Sequence, residues 1–125
     1  MKMNNIFFSS TPKVLNTELA ILVGLQEAIV LQQLHYWHEI NKRDNRNFHD
    51  ESYCSYNNYR QWQADEFVFW SESQIKRIFQ SLEKRGLIYV GNYNHEKIDR
   101  TKWYSVNYDK IAEIQTKKQE ENLPI

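Results

Sequence analysis

At 125 residues, with 41% hydrophobic and 14% aromatic content, the chain has enough material for one core and too little for two full domains. Three Gly and two Pro argue against an all-β fold cut by many tight turns and favour helices with short connections. Sixteen basic residues balance sixteen acidic ones, which weighs against a molecule that binds polyanions over its whole surface, and a lone Cys54 excludes an internal disulfide, a paired-cysteine zinc motif and a redox dithiol.

Residues Met1 to Ser10 lack the long apolar run of a signal peptide, and no stretch reaches the roughly 18 apolar residues that span a bilayer. A protein of the reducing cytoplasm, with no membrane partner, is expected. Asn5 to Ser10 reads as a short strand. An apolar-rich stretch from Val14 to Val23 reads as a first helix closed by Gly24, and Leu25 to Ile40 as a second. Apolar residues at 25, 28, 29, 31, 34, 37 and 40 give the second helix a wide arc, so it is the expected central buried element. Residues 41–51 are nearly all polar and read as a solvated connector with a short extended piece near Phe48. Ser55 is the expected N-cap of a helix through Tyr56, Tyr59, Trp62 and Gln63 that stops around Ala64 to Glu66, and Phe67 to Trp70 forms an apolar turn.

The clearest start signal is Ser71-Glu-Ser-Gln74, a capping box that opens a helix running to about Arg85. Ile75, Ile78, Phe79 and Leu82 make one core stripe at helical spacing, and Lys84-Arg85-Gly86-Leu87 supplies cations for the last carbonyls, a left-handed glycine and a leucine folding back. Leu87 to Tyr93 and Lys102 to Asn107 are β-branched and aromatic, and the polar residues between them predict a β-hairpin. Asp109 to about Lys118 forms a last helix, followed by a tail or linker start.

A helix, an apolar turn, a capped helix with a polar outer face and then a β-hairpin is the order of a winged helix-turn-helix. The expected fold is therefore mainly α with one small hairpin, the domain covering residues 1–110 and residues 111–125 forming the helix end and tail. In such a module the recognition helix enters the major groove, which assigns Ser71, Ser73, Gln74, Lys76, Arg77, Gln80 and Lys84 to double-stranded DNA. Asn92, Asn94, His95, Lys97, Arg100 and Lys102 are the expected wing contacts. Charge distribution agrees, since residues 70–110 hold eight basic and five acidic groups while the segments on either side are net negative. Glu72 and Glu83 on the same helix would repel phosphates, although Glu72 also suits the positive helix N-terminus.

Four blocks in order carry a resemblance: Gly24-Leu-Gln-Glu-Ala-Ile-Val-Leu-Gln-Gln-Leu-His-Tyr-Trp37, Trp70-Ser-Glu-Ser-Gln-Ile-Lys-Arg77, Leu82-Glu-Lys-Arg-Gly-Leu87 and Asp99-Arg-Thr-Lys-Trp-Tyr104. Over roughly residues 6 to 110 the chain resembles the N-terminal winged-helix domain of phage and plasmid replication initiators, the replisome organisers of Gram-positive mobile elements. The resemblance implies origin binding, followed in longer members by a region that contacts a helicase or its loader. The 125 residues leave no room for that second region, so helicase loading is not expected of them. Three readings stay open: a DNA-binding fragment, a small regulator, or a phage protein that keeps the fold and binds a host protein such as a nuclease or polymerase. A homodimer on repeated or palindromic sites is a secondary expectation.

Other signals are weaker. His35 and His38 lie three apart on one helix, with His49 or Cys54 as conceivable further metal ligands, but no paired-ligand zinc spacing is present, and packing histidines are expected. Cys54 with His49 lacks the third group of a thiol nucleophile, and Gly24, Gly86 and Gly91 are too scattered for a phosphate loop. Tyr53, Tyr56, Tyr59 and Trp62 read as core rather than as a stacking platform for unpaired bases, because no basic residues interleave them. No catalytic activity, metal or cofactor is expected.

Overall fold

The structure, a computed structural model, describes residues 13–122. Within them the order is α1 (Thr17–Val23), α2 (Leu25–Asp44), β1 (Phe48–His49), β2 (Ser52–Tyr53), β3 (Ser55–Tyr56), α3 (Tyr59–Asp65), α4 (Glu72–Lys84), β4 (Ile88–Gly91), β5 (Trp103–Val106) and α5 (Tyr108–Glu121). These five helices and two small antiparallel sheets bear out a mainly α chain with a small β-hairpin. The strand expected over Asn5 to Ser10 lies outside the described residues, as do the last three residues of the expected tail.

Helix α1 is shorter than expected. Asn16 is its N-cap and accepts from the Leu19 N–H at 3.1 Å, so Val14 and Leu15 precede the helix. Gly24 both closes α1 and opens α2 at φ 105, in a corner where a Cβ would fall 2.6 Å from a Glu27 carboxylate oxygen. The expectation that Arg85 serves the carbonyls of its own helix is corrected: its guanidinium donates to the Val23 carbonyl at 2.7 Å and caps α1 instead. Ser81 adds a bond to Glu27 at 3.4 Å, so the α1–α2 corner is fastened to the end of α4.

Helix α2 continues past Ile40 to Asp44; the rest of the segment 41–51 is mostly exposed, as its composition suggests, with the short extended piece near Phe48 present as β1, but its first residue is buried. Asn41 is only 3% exposed. Its amide nitrogen donates to the Cys54 carbonyl at 2.9 Å, and its oxygen accepts from Arg46 Nε and Asn47 Nδ2, both at 3.2 Å. A polar side chain so fully paired can be buried without a large desolvation penalty. Asn45 ends the helix in the left-handed region at φ 51. Asp50 and Glu51, at φ 48 and 64, then form a two-residue turn of the mirror type, whose twist matches the paired strands β1 and β2.

A second correction concerns Ser55, which is not a helix cap. Ser55 and Tyr56 form β3 and pair with Tyr104 and Trp103. The cap is Asn58, which exchanges a capping box with Gln61, and α3 starts one residue later. The larger sheet therefore runs β3-β5-β4, with β4 and β5 in register from Ile88↔Val106 to Gly91↔Trp103.

The core lies between this sheet and the helices. Ala28, Val30, Leu31 and Leu34 of α2 face Ile75, Ile78, Phe79 and Leu82 of α4, and an aromatic cluster joins the layers. Phe79 sits 4.8 Å from the Tyr104 ring and 5.7 Å from the Trp62 ring, with Phe67 behind them. Helix α5, capped by Asn107, lays Ile111 and Ile114 against the core. Because Asn41 satisfies three partners, Asn41→Ala should lower stability by about 2 kcal/mol in urea unfolding, leaving the Cys54 carbonyl unpaired in the interior.

Candidate nucleic-acid interface

Helix α4 begins where the capping box placed it. The Ser71 hydroxyl accepts from the Gln74 N–H at 3.1 Å, and the Gln74 side chain accepts from the Ser71 N–H at 3.0 Å. With Ile75, Ile78, Phe79 and Leu82 buried, helical geometry puts Ser73, Lys76, Arg77, Gln80 and Lys84 within about 100° of one another on the opposite side. All five are exposed. Ser71 and Gln74 are occupied with each other, and Gln74 is only half-exposed, so the two polar groups nearest the helix start serve the cap first. Glu72 and Glu83 flank the row.

The loop between β4 and β5 is braced by polar groups. Asn94 donates through Nδ2 to Asn92 Oδ1, to the Asp99 carbonyl and to the Thr101 carbonyl at 2.7, 3.1 and 2.8 Å, while its oxygen accepts from the Trp103 indole at 2.8 Å. Asn92 donates to the Asp99 carbonyl at 3.3 Å and accepts from the Asn94 N–H. Asn92 and Asn94, read from sequence as contact residues, thus build the loop. His95, Lys97, Arg100 and Lys102 are left exposed on it. Asp99 accepts from the Thr101 N–H at 2.9 Å, which holds its carboxyl below the usual range.

Aromatic residues support the loop from beneath. Tyr93 stacks on His49 at 4.4 Å, and Trp103 contacts Tyr56, His49 and Tyr93. The Tyr93 hydroxyl donates to Asp50 at the tip of the β1–β2 hairpin, and that bond is the main reason its phenol is pushed up to about 12. A Cβ at Gly91 would lie 2.8 Å from the Tyr93 ring, so a larger residue there would have to displace the Tyr93 side chain.

Electrostatically the two surfaces are alike. Among the described residues, Lys76, Arg77, Lys84, Lys97, Arg100 and Lys102 have no carboxylate within 4.0 Å, a state they share with Lys42, Arg60, Arg85 and Lys118, whereas Lys13, Arg43, Arg46, Lys110 and Lys117 do have one. Two further groups were not singled out from sequence. Tyr56 is half-exposed at the loop end of β3, and Arg60 is exposed in the first turn of α3. The Asn58–Gln61 capping box was the signal that would have placed them, because it moves the start of α3 beyond Tyr56.

The histidine and thiol signals resolve into packing. His35 Nδ1 and the Tyr108 hydroxyl share a 2.7 Å hydrogen bond, and His38 packs edge-on to Tyr108 and Tyr53, with burial as the main cause of its lowered pKa. Together they dock α5 on α2. Among the described residues no three His, Cys, Asp or Glu side chains cluster as a metal site would require. Cys54 is buried beneath the β1–β2 hairpin and burial raises its thiol pKa, which disfavours the nucleophilic thiolate. No helix of the described residues is long and apolar enough to cross a membrane.

Two outcomes follow from the bracing. Asn94→Ala should speed amide exchange across residues 95–101 by at least about tenfold while exchange in α4 stays unchanged, since local openings are separate from global unfolding. In an ultraviolet titration Tyr93 should ionise near pH 12, and Asp50→Asn should bring it down towards the ordinary value. The sign follows from a raised folded-state pKa: the stabilisation by the neutral phenol is complete below about pH 10. It is lost as pH rises to about 12. Comparisons with protein-family models, curated proteins and solved structures give no match to this chain.

Proposed function

We propose that the chain is a winged helix-turn-helix domain that binds double-stranded DNA with sequence preference, acting in replication initiation or its regulation on a phage or plasmid in the cytoplasm. The observation that carries this reading is the outward row Ser73, Lys76, Arg77, Gln80 and Lys84, free of carboxylate partners and directly opposite a fully buried stripe. The element order supports it: α2, β3, α3, turn, α4, then a β4–β5 hairpin whose strands join β3 in one sheet, with a loop between them that carries three cations and two carboxylates. In this reading α3–α4 is the helix-turn-helix and residues 92–102 form the wing. Gly86 reverses the chain at φ 72, so β4 leads back from the end of α4 to the wing. Arg77 and Gln80 have the donors for base edges in the major groove, while Lys76, Lys84 and the wing cations meet phosphates.

A second reading has its own support. Val68 and Phe69 in the α3–α4 turn are exposed, as is Tyr36 beside Trp37, whose indole donates to Glu66 at 3.1 Å. Such a surface suits a host protein such as a nuclease or polymerase, and salt separates the two. Binding to DNA weakens steeply as ionic strength rises, whereas an apolar protein contact barely changes.

Selection from random duplex DNA at near-physiological salt should enrich a motif, and two-fold symmetry in that motif would mark a homodimer. On the enriched duplex, replacing Lys76 and Arg77 together by Ala should weaken binding more than about tenfold in fluorescence anisotropy, each contact being worth about 1–3 kcal/mol. Unchanged affinity would remove α4 from the groove.

A further inference from the structure

Among the described residues Ile98 is the most exposed of the large apolar side chains, at 85%, and is flanked by Lys97 and Asp99. Its position is set by the loop. The Asp99 N–H donates to the Glu96 carbonyl at 3.1 Å, closing a tight turn in which Lys97 and Ile98 are the two central residues. The Asn92–Asn94 bracing fixes both limbs of the loop below that turn, so Lys97 and Ile98 form the apex of a stiff projection. Neither Lys97 nor Ile98 takes a positive φ, so the turn accepts an aliphatic side chain at its centre without strain. Among the described residues nothing covers Ile98, and its exposure adds no stability.

A stiff loop with an uncovered aliphatic tip, Lys97 beside it and His95, Arg100 and Lys102 along its limbs, which outweigh the carboxylates of Glu96 and Asp99 at the ends of the turn, has the composition of a minor-groove wedge. The cations hold the flanking phosphates, and the aliphatic group enters between adjacent base pairs and partly unstacks them. We infer that Ile98 inserts into the minor groove and kinks the bound duplex, so that part of the sequence preference comes from the deformability of the step it opens rather than from base-edge hydrogen bonds. This rests on the DNA-binding reading above and adds to it a distortion of the ligand that the α4 row does not require. Pyrimidine–purine steps, the easiest to unstack, are the expected targets.

The test uses the whole chain and a duplex of about 30 base pairs from the selected pool, labelled at both ends for energy transfer and carrying 2-aminopurine at the candidate step; a bend of this kind is in the range of 20–90°. Wild-type protein should shorten the end-to-end distance and raise 2-aminopurine emission. Ile98→Ala should abolish both signals and weaken binding about tenfold, the scale expected for one aliphatic group returned to water. Ile98→Leu should retain them. Ile98 packs against nothing, so circular dichroism should show both variants as fully folded. Tight binding by wild-type protein with a straight, stacked duplex, or Ile98→Ala behaving as wild type, overturns the wedge and leaves DNA binding standing. Failure of wild-type protein to bind selected or random duplex at low salt overturns the DNA-binding reading and the wedge with it.

Discussion

The arrangement depends on one rotational constraint, the burial of Ile75, Ile78, Phe79 and Leu82 on a single stripe of α4. Once that stripe is seated against α2 and the Trp62–Tyr104 cluster, the helix cannot turn about its axis without exposing large apolar area, and its outer row is fixed. Both ends are secured as well. The Ser71–Gln74 box sets where the helix begins, and the Arg85 bond to Val23 fastens its far end to the α1–α2 corner. A row of side chains held by a core rather than by a loop keeps its spacing when the surroundings move.

The hairpin loop is held differently. It has almost no apolar interior of its own, so amide side chains substitute for a core, with Asn94 alone joining four partners. Hydrogen bonds are directional and weaken together when one is lost, so this part of the molecule is stiff yet separable in stability from the helical body. The link between the two regimes is aromatic. Tyr93, His49, Trp103 and Tyr56 form a continuous set of contacts from the β1–β2 hairpin to the base of the loop.

What the sequence made legible was what local rules govern. The α4 capping box, its stripe and the β4–β5 hairpin each depend on residues close together in the chain, and the outward row follows from them. Long-range pairing was hidden. Ser55 resembles a cap as much as a strand residue, and only its partner Tyr104, far along the chain, decides the matter. Asn41 looked solvated because it is polar, although three distant or neighbouring groups satisfy it in the interior. Asn92 and Asn94 looked like ligand contacts for the same reason: an amide shows its chemistry in a sequence but not the direction in which it spends its bonds.

The segment from Asn41 to Tyr53 has a further meaning for how such a chain can vary in length. Exposed polar connections usually accept extra residues freely. This one is pinned by Asn41 at its start, turns through four non-glycine residues of positive φ, and presents Asp50 to Tyr93 from a two-residue turn. One added residue would shift the β1–β2 register and reverse which side chains face the loop above, carrying Asp50 and His49 away from Tyr93. Despite its loop-like composition, the segment behaves as a gauge of fixed length, and an insertion made there to attach a label or a fusion would be felt at the β4–β5 loop.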